Sequence, residues 1–104
     1  KYPVLFCETL MGVNFNPNIY IDISEYFQNK TRAILKHKSQ RPDKFLKAIE
    51  INNKFRAAQC NAGGQSYAEV FRFEPSFPFV DIRCLLPFTM PIRPYYKNIP
   101  DSLI

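Results

Sequence analysis

Few side chains in this sequence combine the type and the placing that chemistry needs. His37 is the single histidine. An imidazole can serve as general base or metal ligand near neutral pH. His37, however, stands between Lys36 and Lys38, where a helix dipole favours cations at its C-terminal end. We read it as a helix-terminal cation, since no carboxylate stands in helical register with it. Glu8 closes the apolar run Val4-Leu5-Phe6-Cys7 just before a loop. In α/β sheets, ligand sites gather at the carboxyl ends of strands. Glu8, with Thr9 beside it, is therefore either a pocket acid that accepts hydrogen bonds from a ligand's hydroxyls or an exposed acid in a turn. Asp22 lies two residues before a predicted helix, and capping that helix accounts for it. Glu69 shares a predicted strand face with Tyr67 and Phe71, so if that face is buried it needs a cation such as Arg56 or Arg72.

The three cysteines, Cys7, Cys60 and Cys84, are odd in number and widely spaced. No C-x-x-C occurs, which leaves a zinc ribbon or a thioredoxin-like redox site without support. They read as reduced thiols, buried or partly buried, of a cytoplasmic protein. Asn29-Lys30-Thr31 matches a glycosylation sequon but falls inside a predicted helix and is read as a chance match.

The elements that would position these residues follow from pattern. Pro3–Glu8 is expected to be a buried strand, because its apolar run is continuous. Thr9–Asn18 is a loop. Ile19–Ile23 alternates as a strand does, with Ile19, Ile21 and Ile23 on one face and Tyr20 and Asp22 on the other. Ser24 is a candidate N-cap, and Glu25 suits the positive end of the helix dipole. Phe27, Thr31 and Ile34 share a helix face that ends near Lys38. Arg41-Pro42 opens a second helix, with Pro42 at its first position. That helix runs to about Cys60 with an apolar stripe of Phe45, Ala48, Ile49 and Phe55, and Asn61–Gly64 stops it. Ser66–Glu74 is the last strand. From Pro75 onward prolines break any long element. Phe77, Phe79, Val80, Ile82, Leu85, Leu86, Phe88, Tyr95 and Tyr96 make the segment too apolar for a free linker, so it is expected to pack over the domain or a neighbouring subunit. Pro91-Ile92-Arg93-Pro94 fits the P-x-x-P pattern, with packing the preferred explanation.

Bulk properties bound the function classes. A chain of 104 residues with 46% hydrophobic and 15% aromatic content suits one packed domain or part of one. No apolar run approaches the ~20 residues of a membrane helix, so no membrane association is expected. The net charge of +5 resides mostly on two predicted helices, without a ribonucleoprotein signature or zinc-finger spacing. It is read as solvated helix faces, and no nucleic-acid partner is expected. The chain opens on Lys-Tyr-Pro, enters a strand at once, and is expected to be a C-terminal piece of a longer protein.

A longer pattern carries more information. Asn14-Phe15-Asn16-Pro17-Asn18-Ile19-Tyr20-Ile21-Asp22-Ile23-Ser24 is followed by Lys30, Ala33 and His37-Lys38-Ser39-Gln40, and later by Tyr67-Ala68-Glu69-Val70-Phe71. In order and spacing this resembles the C-terminal part of the LmbE-like, or PIG-L, family of zinc-dependent N-deacetylases, over Asn14–Phe71. The resemblance implies an α/β chain, the C-terminal portion of a Rossmann-like domain, in the order strand–strand–helix–helix–strand. Residues 1–74 would belong to that domain and 75–104 to a Pro-rich tail, through which a homo-oligomer could form. It implies removal of an acetyl group from an N-acetylated amino sugar or related amide. Zinc in the parent enzyme would lower the pKa of bound water and polarise the amide. The family's Ala-His-Pro-Asp-Asp-Glu and His-Pro-Asp-His phrases do not occur here. No catalytic or metal-binding residue transfers to this chain, and the piece alone is expected to be inactive and to bind no zinc. Glu8 and Thr9 would line the sugar pocket. The sequence also departs from the family: Ala57 follows Arg56 where relatives carry glycine, and Phe45 stands near the place of a mobile tyrosine. The alternative is a non-catalytic binding or assembly module that keeps only this half-fold.

Overall fold

A computed structural model describes residues 2–87, 89 and 90. Its regular elements are strand β1 (Leu5–Cys7), strand β2 (Ile19–Asp22), helix α1 (Phe27–Leu35), helix α2 (Pro42–Ala58) and strand β3 (Ala68–Phe73). The order strand–strand–helix–helix–strand is the expected one. The sheet has three strands in the order β1-β3-β2, and β3 runs antiparallel to both neighbours. It follows that β1 and β2 run parallel to each other, with the last strand inserted between them.

The alternation of β2 is realised. Ile19 and Ile21 pack with Phe73 and Ile82 in one apolar cluster, with Ile23 and Phe71 at its margin. Tyr20 turns to the other face and packs with Val70 and Cys60. Asn18 ties this strand to the end of β3. Its side-chain amide donates to the Phe73 carbonyl at 2.7 Å, and its oxygen accepts the Phe73 N–H at 2.8 Å. One side chain thus completes the backbone pairing where the ladder stops.

One helix start differs from expectation. Ser24 does not cap; it opens a 3-10 turn, Ser24–Tyr26, ahead of α1. The capping bond comes from Asp22, whose Oδ1 accepts the Ser24 N–H at 2.9 Å. The Ser24 hydroxyl instead donates to Asp22 and accepts the Tyr67 N–H at 3.0 Å, joining the entrance of α1 to that of β3. Stacking of Phe27 on Tyr67, with ring centroids 3.7 Å apart, reinforces this corner. Pro42 does occupy the first turn of α2. The stop after α2 is made by Asn61 in the left-handed region at φ 53°, not by the glycines. Asparagine tolerates that region better than most residues, and the Ala62 N–H then closes on the Ala57 carbonyl at 3.2 Å, as in a Schellman-type end.

Burial departs from expectation more than element order does. β1 is shorter than Pro3–Glu8 and is an edge strand: Val4 and Phe6 are 54% and 52% exposed. On α2, Phe45, Ile51 and Phe55 are exposed, and the buried residues are Asn53, Arg56 and Ala57. The proposed apolar stripe is therefore not the buried face. The buried residues sit in the C-terminal half of the helix, with Ile49 and Asn52 partly buried beside them, and Asn53 and Arg56 are polar because they lie over groups that need hydrogen bonds.

After β3 the chain returns across the sheet. Ile82 is buried, Phe79 and Leu86 are partly buried against the same cluster, and Phe77, Val80 and Leu85 remain exposed. Thr89 bridges to Ile21, and the Met90 N–H donates to the Tyr20 carbonyl at 2.7 Å, so this segment begins a further pairing on the outer edge of β2. The Pro91–Pro94 motif and the expected oligomer contact through the rest of the tail lie outside the described residues. Among the described residues no helix is long and apolar enough to cross a membrane.

Replacing Asn18 by Ala should destabilise the fold by about 1–3 kcal/mol, because it leaves the Phe73 N–H and carbonyl without these partners. Urea denaturation of the variant checks this; an unchanged midpoint would mean water replaces the clamp at no cost.

Candidate functional site at the carboxyl end of β1

Beyond Cys7 the chain leaves β3, whose register with β1 stops at Phe71. The edge of β3 from Phe71 back to Glu69 is thereby uncovered, and a cleft of about 320 Å³ opens there. Cys7, Glu8 and Thr9 form one side and Glu69, Val70 and Phe71 another. Helix α2 contributes Phe45, Ile49, Asn52 and Asn53, and α1 contributes Lys30. The volume lies at the lower end of small-ligand sites.

Glu8 and Thr9 both line this cleft, but the Glu8 carboxylate is already engaged. Oε2 accepts from Arg56 Nε at 2.9 Å and from a second Arg56 nitrogen at 2.5 Å, and Oε1 accepts from Asn52 at 2.8 Å. The two ion-pair side chains are 8% and 7% exposed. Arg56 also donates to Gln59 at 2.9 Å, and the same Gln59 oxygen accepts the Tyr20 hydroxyl at 2.9 Å. A continuous polar chain therefore runs from the end of β1, under α2, to β2. Gly12, at φ +56°, closes over it in the turn after Thr9, and an added Cβ there would fall on the Glu8 carboxylate. Glycine is needed at this position both for its conformation and for the close approach.

The second polar cluster was not anticipated. Lys30 donates to Glu69 at 2.5 Å and to the Asn53 side chain at 2.8 Å, and Asn53 in turn donates to the Ala68 carbonyl at 2.8 Å. The partner of Glu69 is thus Lys30, and neither Arg56 nor Arg72; Arg72 pairs with Glu74 instead. The signal for this cluster lay in the spacing of α2. Asn52, Asn53, Arg56 and Gln59 recur at helical intervals and mark a polar inner face.

His37 follows the end of α1, is exposed, and lies beside Ile34, Gln40, Pro42 and Phe45, away from both polar clusters. Cys60 is buried, while Cys7 and Cys84 are exposed. Among the described residues no group of three His, Cys, Asp or Glu side chains comes together to hold a metal. The two carboxylates of the cleft are each held by a cation, so these residues do not fit a zinc ion. Compared with protein-family profiles, curated proteins and solved structures, the chain matches none.

Arg56→Met should cost about 3–5 kcal/mol, since it leaves the Glu8 carboxylate buried without its cation. Glu8→Met combined with Arg56→Met should cost less than either single change, because a buried pair replaced by packed apolar groups is often tolerated. Chemical denaturation of the three variants reads this directly.

Burial raises the Tyr20 hydroxyl above its ordinary 10.0, with Arg56 opposing the shift. A raised folded-state pKa contributes stability that is complete below the ordinary value and is lost as pH rises through the folded value. Stability should therefore fall in alkaline solution, and Tyr20→Phe should flatten that part of the curve. Thermal melts of both proteins from neutral to alkaline pH check it.

Proposed function

We propose that this chain is the substrate-binding part of a zinc-dependent hydrolase that removes an acetyl group from an N-acetylated amino sugar or related amide. The zinc ligands and the catalytic base would come from residues outside this sequence, within a Rossmann-like parent domain. The observation that carries the reading is the meeting of Lys30 and Glu69 in one cleft at the end of β1. These residues belong to separate phrases of the family pattern, and a pattern that records a shared site should bring its phrases together in space. Within this reading Glu8 and Thr9 stand at the rim of the sugar pocket. Glu8 reaches a ligand only through the lone pairs that Arg56 and Asn52 leave open.

The second reading, a non-catalytic binding or assembly module, draws on the exposed apolar residues Val4, just before β1, Phe6 of β1 and Phe55 of α2. These suit packing against another polypeptide surface, and they are compatible with either function.

The test is acetate release by the full-length protein from a panel of N-acetylated amino sugars. Acetate should appear, disappear on chelation and return with added zinc. No release from any member of the panel would leave the binding-module reading.

A further inference from the structure

The two ion pairs beside the cleft are chemically alike and differ in exposure. Glu8–Arg56 is closed on both sides. In Lys30–Glu69 the side chains are 26% and 38% exposed and both line the cleft. The Lys30 ammonium has three donors; Glu69 and Asn53 take two of them. Glu69 uses Oε1 for Lys30, and Oε2 has no hydrogen bond among the described residues. The pair therefore offers one charged donor and one charged acceptor side by side. Phe45 and Ile49 of α2 stand across the same cleft and give it an apolar wall.

We infer that the Lys30–Glu69 pair is the specificity element of the cleft and reads two adjacent hydroxyls on a sugar ring. One hydroxyl would donate to Glu69 Oε2, and its neighbour would accept from Lys30 Nζ. The C–H face of the ring would rest on Phe45 and Ile49. A hydroxyl is both donor and acceptor, so a vicinal diol satisfies both members of the pair at once, whereas an anion would meet the repulsion of Glu69. This inference deepens the proposed reading and rests on it for the choice of an amino sugar. It moves hydroxyl recognition from Glu8 to Glu69, because Glu8 is already held by Arg56 and Asn52.

The probes are N-acetylglucosamine and its 3-deoxy and 4-deoxy analogues, titrated into the full-length protein. Because the acetamido group is common to all three, their affinity ratio isolates the hydroxyls. At least one deoxy analogue should bind about tenfold more weakly, as expected for loss of a hydrogen bond to a charged group. Glu69→Gln should bring that ratio to within about twofold of unity; a purely structural role would weaken all three probes together and leave the ratio intact. Should Glu69→Gln not fold, the wild-type ratio still decides, together with movement of the Glu69 carboxyl carbon resonance on titration. Equal affinity of wild type for all three probes, or an unmoved Glu69 resonance, overturns the inference. Acetate release without hydroxyl selectivity would remove this inference and leave the deacetylase reading standing. Hydroxyl selectivity without acetate release would do the reverse.

Discussion

Arg56 reaches the Glu8 carboxylate from the underside of α2, and much of the arrangement around the cleft depends on that contact. A buried ion pair is weak evidence of net stabilisation, since the cost of desolvating two charges can match their attraction. What it supplies here is placement. Glu8 is the first residue after β1, Arg56 lies near the end of α2, and Gln59 carries the connection to Tyr20 of β2. Three elements distant in sequence are held by directed bonds whose geometry admits little sliding. Asn53 adds a fourth, through the Ala68 carbonyl at the start of β3. An apolar interface of the same area would tolerate rotation of α2; these hydrogen bonds do not.

This polar underside also explains which parts of the structure were legible in the sequence. The alternation Ile19–Ile23 placed β2 and both its faces, because one cluster lies on each side of the strand and period two is unambiguous there. Pro42 marked the start of α2, since a missing N–H costs nothing in a first turn. The buried face of α2 was misread because apolar periodicity is the usual guide, and here the residues under the helix are Asn53 and Arg56 while Phe55 faces outward. β1 was expected to be buried from its continuous apolar run, yet it is the edge of the sheet as described. Composition reports how apolar a strand is and is silent on whether another surface covers it.

The site shows the same division. Position at the end of a strand left Glu8 open between a pocket acid and a turn acid; both Glu8 and Thr9 line the cleft. The partner of Glu69 could not be found that way, since Lys30 lies 39 residues earlier, on α1. Only the packing of α1 against the entrance of β3, fixed by Ser24 on the Tyr67 N–H and by Phe27 on the Tyr67 ring, brings that ammonium within reach.

Burial then separates the work of the two ion pairs. Closed from water, Glu8 and Arg56 have few unused bonding directions and cannot change partners without a large penalty. Lys30 and Glu69 meet the solvent, where an ion pair contributes little to stability and a water can be exchanged for a ligand's hydroxyl at small cost. Through the neighbouring residues Asn52 and Asn53, α2 connects the two, one side chain bonded to Glu8 and the other to Lys30, so the position of the exposed pair is set by the buried one.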